Sequence, residues 1–478
     1  MNRIFTKKPM SMQARILKHF RNRRLVAPLV LLLAVASAFL FVPGCATKPE
    51  SAPPPPKVAP PPVTPPKPVA PPVVEENLPP VMLGIDVLEA EHFAPIAGKR
   101  IGLLTHPAGV NRRGESTIEI LRRAPHVKLV ALFGPEHGIY GDIKAGDNIA
   151  DSVDARTGLP VYSLHGKNRK PTPAQLKGLD AMVIDLQDIG VRSYTFASAM
   201  YCTMAACFEA GVEVVVLDRP NPLGGLKVDG PPLDAELKSY VGAFRVPYVH
   251  GLTIGELARL AKDSAGPMYI PEIINVPDAV RARGRLTVIP MRGWTRAMRW
   301  PETGLRWVPT SPMIASYDAV IGYAMVGLGT QNSGWTSGIG SFYAFRGIGF
   351  PKRTPEQIMA ELGQYHIPGI ELQRIPGVAR DGKVIDGVYV EVANWEAWHP
   401  TELAFYMQKV AARWSAANPF ARLSPADERT FKIHVGSSAW FSALKREGSR
   451  VDVAAYVRSW AERDAVYQQQ SRKYWLYN

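Results

Sequence analysis

The sequence predicts an α/β protein: a doubly wound parallel sheet followed by a smaller α+β domain. Three observations predict it. From Val81 onward, short continuous apolar runs alternate with helix-patterned segments, as expected of parallel strands covered on both faces. Each run ends in charged or amide residues set among Gly and Pro. Beyond residue 312 the pattern changes to long helices around one pair of strands.

The elements follow in order. Strands are expected at Arg100–Thr105, Lys128–Phe133, Ala181–Asp185 and Glu213–Leu217, with helices at Glu115–Arg123, Pro173–Lys177 and Thr195–Ala210. Cys202 and Cys207 sit five apart on the last of these helices. They point in different directions, out of bridging reach, and read as small buried apolar residues. Thr253 and Glu256 form a capping box that opens a helix just after His250. The C-terminal domain, 313–478, carries helical patterns at Pro355–Gly363, Thr401–Ala417 and Val451–Gln469, and a strand pair at Ile370–Ile375 and Val384–Val392. Its Trp395, Trp398, Trp414, Trp440, Trp460 and Trp475 read as core more readily than as sugar platforms.

Charge and the N-terminus belong together. The 478 residues carry 56 Lys+Arg against 42 Asp+Glu, a net +14. Such a surplus invites a nucleic-acid reading. Eight of the cations lie in residues 1–24, which hold no Asp or Glu; residues 25–44 are uncharged, and the chain from Cys45 onward is only +6. The basic stretch, the apolar run Leu25–Val42 and the Val-Pro-Gly-Cys ending read as an export signal over 1–44. Cys45 is the expected lipidation site, with Pro43 an unusual residue for that position; an uncleaved membrane anchor is the alternative. Residues 45–80 read as a linker: 15 of the 32 residues 49–80 are Pro, a composition that favours extended polyproline II. No nucleic-acid partner is expected. No Cys/His cluster suggests a metal. No glycine-rich phosphate fingerprint follows the first strand, so no nucleotide cofactor is expected despite the Rossmann-like pattern over 81–312.

In doubly wound sheets, ligands bind beyond the carboxyl ends of the strands. After the first strand stand His106 and Asn111; after the second, Gly134-Pro135-Glu136-His137-Gly138; after the third, Asp185, Gln187, Asp188, Arg192 and Tyr194; after the fourth, Arg219 and Asn221. Glu136, on a tight turn at a strand end, is the best candidate acid or base; a solvated loop carboxylate is the plainer reading. Asp185 suits orienting a neighbour, holding a sugar hydroxyl or capping a turn. Arg192 and Arg219 suit gripping a carboxylate, or pairing with Asp188 or Asp218.

Six ordered motifs resemble the bacterial exo-β-N-acetylmuramidase family. They are Gly84–Leu88, Leu132–Gly138, Gly158–Leu164, Asp185–Gly190, Leu217–Gly225 and His250–Leu257. The resemblance implies a Rossmann-like catalytic domain, a C-terminal domain completing the cleft, and release of terminal N-acetylmuramic acid from peptidoglycan fragments. It places the family's catalytic glutamate on Glu136; His137 and Asp185 are the further catalytic candidates, and if the substrate's 2-acetamido group itself attacks, Asp185 or Asp188 would orient that amide. The candidate substrate contacts are His106, Asn111, Gln187, Asp188, Arg192, Tyr194, Arg219, Asn221 and His250. The lactyl carboxylate would fall to Arg192 or Arg219. The expected setting is the periplasmic face of an outer membrane, with peptidoglycan as substrate and a lipid anchor as membrane contact. One segment departs from the family pattern: Leu328–Gly338 lacks its acidic residue and Arg. A non-catalytic or weakly active peptidoglycan-binding lipoprotein is therefore the alternative, and Trp335 in that segment is a candidate sugar-stacking residue.

Overall fold

Seven strands build the main sheet. They are β1 (Arg100–Thr105), β2 (Lys128–Gly134), β3 (Ser152–Val153), β4 (Pro160–Ser163), β5 (Ala181–Asp185) and β6 (Glu213–Leu217), with β9 (Leu286–Ile289) after a small antiparallel hairpin of β7 (Met268–Ile270) and β8 (Ile274–Val276). The computed structural model describes residues 79–141, 143, 150–338, 343–375, 378–380 and 383–478. The export signal, Cys45 and nearly all of the linker lie outside the described residues. The order is β3-β4-β2-β1-β5-β6-β9, parallel except for β3 against β4.

The continuous apolar runs have a simple cause. In β5, Met182 and Ile184 join one buried cluster and Ala181 and Val183 the other; in β6, Val214 and Val216 oppose Val215 and Leu217 in the same way. Successive side chains point to opposite faces, and both faces are covered. β4 and β9 were not foreseen. Their residues are mostly half-buried, so their sequences mix Thr, Tyr and Ser into the run.

The helices begin and end where local chemistry dictates. Thr195–Ala210 forms as expected and closes on Gly211 at φ +72, the left-handed position glycine favours. The Thr253/Glu256 capping box forms and opens helix Ile254–Asp263. Tyr317–Val326 was missed because it is apolar on nearly every side, which erases the 3.6-residue period.

The C-terminal part is α+β. Ile370–Arg374 and Val388–Val392 pair antiparallel, within a sheet completed by Gly347–Gly349 and Thr336–Ser337. The first buried cluster continues from the main sheet into Trp398, Phe405, Trp440 and Trp460. The chain end returns to the sheet: the Tyr477 hydroxyl donates to Asp218 Oδ2 at 2.6 Å, and the Arg296 amide donates to the Asn478 carbonyl at 2.9 Å.

Asp464, on the last helix (Val453–Ser471), is buried and its Oδ1 has no partner among the described residues. Burial, with Asp229 adding to it, pushes its carboxyl up to about 8. The folded state therefore holds a proton that the unfolded chain releases above the ordinary carboxyl range. That contribution to stability is present at low pH and is lost as pH rises toward about 8. Asp464→Asn should stabilise the protein more at alkaline than at mildly acidic pH, by about 1–3 kcal/mol in urea unfolding. An equal shift at both pH values would contradict this account.

Candidate functional site

β2 ends at Gly134 and the chain turns at once. The Gly138 amide donates to the Pro135 carbonyl at 3.0 Å, with His137 at φ +73 and Gly138 at φ +75. A left-handed conformation at a non-glycine residue costs of order 1 kcal/mol and clusters at functional sites. The His137 ring is buried, with Nδ1 2.8 Å from the Ile143 carbonyl, so it anchors the turn. Glu136, between Pro135 and His137, stays partly open.

Thr195, the first residue of its helix, donates Oγ1–H to Glu136 Oε2 at 3.0 Å, and His165 Nε2 lies 3.9 Å from Oε1. Burial pushes the His165 imidazole below its usual range; the Glu136 charge opposes that shift and Arg169 adds to it. Both side chains line a cavity of about 370 Å³ whose wall also carries Arg169, Lys238, Tyr240, Glu272 and Arg429. The site thus presents one carboxyl held by a hydroxyl, one neutral imidazole beside it, three cations and a second carboxylate. Glu272, at the tip of the β7–β8 hairpin, has φ +65, a left-handed non-glycine residue on the cavity wall itself.

A separate cavity of about 320 Å³ shares no lining residue with the first. Asn111, Gln187 and Arg219 line it, with Arg112, Arg306 and Trp307. Asp185 is fully buried beneath it. Its Oδ1 accepts from Arg219 Nε at 2.5 Å; its Oδ2 accepts from Arg219 Nη2 at 2.8 Å and from the Thr117 hydroxyl at 2.5 Å. Both oxygens are therefore engaged, and Asp185 lines neither cavity. The Arg219 fork is turned toward Asp185 and not, as the sequence suggested, toward Asp218 or wholly toward a ligand.

The other strand-end residues serve the framework. Arg192 is buried and its guanidinium donates to the carbonyls of Pro231, Val246, His434 and Val435. Burial lowers it to about 10. Gly436 makes room for it: a Cβ there would stand 2.1 Å from Arg192 Nη2. No fork is left for a substrate carboxylate, which corrects the expected role. His106 Nε2 accepts from the Gln187 amide at 2.8 Å, its ring edge-on to Phe196, and burial keeps it well below its usual range. Asp188 accepts from the Gly190 amide and lies 3.5 Å from His250 Nε2, while His250 Nδ1 accepts from the Leu252 amide. Tyr194 donates to Thr310, and Asn221 bridges the Leu223 amide and the Leu252 carbonyl. His106, Asp188, Tyr194, Asn221 and His250 line neither of these two cavities.

Trp335 is also corrected: it is buried, donates Nε1–H to the Met407 carbonyl at 2.7 Å and packs on Phe350 and Trp414. No residue of Leu328–Gly338 lines either cavity.

Sequence reasoning missed His165, Arg169, Lys238, Glu272 and Arg429. His165 had a signal, because it directly follows Gly158–Leu164 at the end of β4. The others come from distant segments and had none.

A mostly parallel sheet with a hydroxyl-bonded carboxyl at a strand end, in a cation-walled cavity, suits an α/β glycoside hydrolase acting on acidic sugars. The comparisons agree. Residues 101–318 match the family described as exo-beta-N-acetylmuramidase NamZ, N-terminal, and residues 321–477 match its C-terminal counterpart. The peptidoglycan beta-N-acetylmuramidase NamZ of Bacillus subtilis is 41% identical over 292 residues, 61% of this chain and 67% of that protein. The chain belongs to the NamZ exo-β-N-acetylmuramidase family of glycoside hydrolases. Crystal structures of two DUF1343 family proteins from Bacteroides fragilis superpose with TM-scores of 0.72 and 0.61 at 35% and 25% identity, each covering 83% of this chain and 99% of theirs.

Proposed function

We propose that this chain is an exo-acting glycosidase that releases terminal N-acetylmuramic acid from peptidoglycan fragments, with Glu136 as general acid and then general base. The observation that carries this reading is Glu136 in an open cavity, bonded by Thr195 through one oxygen and with His165 beside the other. Glu136 gives its proton to the glycosidic oxygen as the C1–O bond breaks. The substrate's 2-acetamido oxygen attacks C1 from the opposite face, as in substrate-assisted glycosidases. Water then opens that intermediate and returns a proton to Glu136. His165, kept neutral by burial, does not compete for the proton. Arg169, Lys238 and Arg429 take the lactyl carboxylate, the role first given to Arg192 and Arg219. Glu272 is the carboxylate positioned to steady the acetamido group.

The reading includes export. Residues 1–44 direct the chain out, Cys45 carries the lipid, and the enzyme works at the periplasmic face of the outer membrane. Incubation with muropeptides should give free N-acetylmuramic acid by mass spectrometry. Internal cleavage alone, or no release, overturns the reading. Incorporation of a palmitate analogue in cells, lost in Cys45→Ala, tests the anchor.

A further inference from the structure

The second cavity lies where the sheet reverses direction. The chain runs from β1 outward through β2 to β4, then resumes on the other side of β1 at β5. Loops leaving the carboxyl ends of β1 and β5 depart in opposite directions and open a crevice there. Asn111 follows β1 and Gln187 follows β5, so the cavity occupies that crevice, whereas Glu136 stands at the end of β2.

Its chemistry is specific. Asn111 and Gln187 are 2% and 1% exposed, yet Asn111 Nδ2 and Gln187 Oε1 have no partner among the described residues. The amide orientations are fixed by their other halves. Asn111 Oδ1 accepts from the amides of Arg113 and Glu115, and Gln187 Nε2 donates to the carbonyls of Asp188 and Pro220. One free donor and one free acceptor therefore remain in the wall, and buried groups of this kind call for partners. An unpaired amide donor and an unpaired carbonyl acceptor are complementary in kind to the C=O and N–H of a secondary amide. Arg112, Arg219 and Arg306 line the same space and no Asp or Glu does. Asp185 is paired with Arg219 and Asp86 lies 3.9 Å from Arg112 Nε, which leaves Arg306, exposed, as the cation without a carboxylate partner among the described residues. The Trp300 and Trp307 indoles, edge to face at 4.9 Å, give the apolar side. About 320 Å³ suits a small organic ligand.

We propose that this crevice is a second ligand site, for a molecule carrying a secondary amide close to a carboxylate. Two compounds offer that chemistry: N-acetylmuramic acid itself, with its acetamido and lactyl groups, and a short acidic peptide such as the one a muropeptide bears. Their relevance rests on the function proposed above; the site's chemistry does not.

Calorimetric titration of the full exported chain with N-acetylmuramic acid and, separately, with the dipeptide L-alanyl-D-glutamate tests the proposal. At least one probe should bind saturably, and Arg306→Ala should weaken that binding about tenfold, with Arg306→Glu abolishing it. Arg306 is exposed, so both variants should keep the wild-type melting temperature. Binding of the muramic acid alone assigns the site to a sugar acid; binding of the dipeptide alone assigns it to the peptide. If neither probe binds, or if binding is unchanged in Arg306→Glu, the proposal is wrong. Cleavage of a chromogenic N-acetylmuramide decides the first cavity's function separately. An enzyme that cleaves it yet shows no Arg306-dependent binding overturns the second site only.

Discussion

Glu136→Gln should lower turnover of an aryl N-acetylmuramide by about 10²–10⁴-fold, the range for losing a positioned general acid. The amide is the same size and still accepts the Thr195 hydroxyl, now at 3.0 Å from Oε2. It has no acidic proton to give. The substitution keeps the side chain's volume and its bond to Thr195, so the melting temperature should stay near that of the wild type. Leaving groups supply the decisive arm. An aglycone that departs readily as an anion needs little protonation, so the variant should lose least on a dinitrophenyl glycoside and most on a natural sugar aglycone. A uniform loss across leaving groups would mean that Glu136 positions substrate without donating the proton. Near-normal turnover on every substrate would remove it from the chemistry.

Much of this arrangement was legible in the sequence, for reasons visible in particular residues. β5 reads as a parallel strand because Ala181, Met182, Val183 and Ile184 must all be apolar to satisfy two buried faces. Glu136 could be singled out because a strand end and a tight turn hold it in place whatever the rest of the chain does. What the sequence could not show is which way a strand-end residue faces. Arg192 is taken up by carbonyls of Pro231, Val246 and Val435, and a backbone carbonyl has no side-chain signature. Arg429, on the helix Pro425–Val435, and Glu272, on a hairpin tip, reach the Glu136 cavity only through tertiary packing. The four polar strand ends do not form one pocket. They form two walls and a buried framework, because most of their hydrogen-bonding capacity holds loops together.

Asp185 shows that division most sharply, and removing its carboxylate should be among the most destabilising single changes. Asp185→Ala leaves the Arg219 guanidinium, 2% exposed, with a carbonyl of Val110 but without its counter-ion. Stripping one partner from a buried pair costs about 3–5 kcal/mol, because the remaining charge stays desolvated. Thr117 loses its acceptor as well. Replacing both members, as in Asp185→Leu with Arg219→Met, should recover much of that loss, since the desolvated charges go together. Urea unfolding of Asp185→Leu, Arg219→Met and the double variant gives the coupling energy directly. The sequence reading of Asp185 as catalytic makes the opposite forecast: turnover would vanish while stability held. Wild-type stability in Asp185→Ala would therefore refute the structural role. A large loss of stability, relieved in the double variant, would place Asp185 beneath the crevice as its support, with Glu136 left as the strand-end carboxyl free to act.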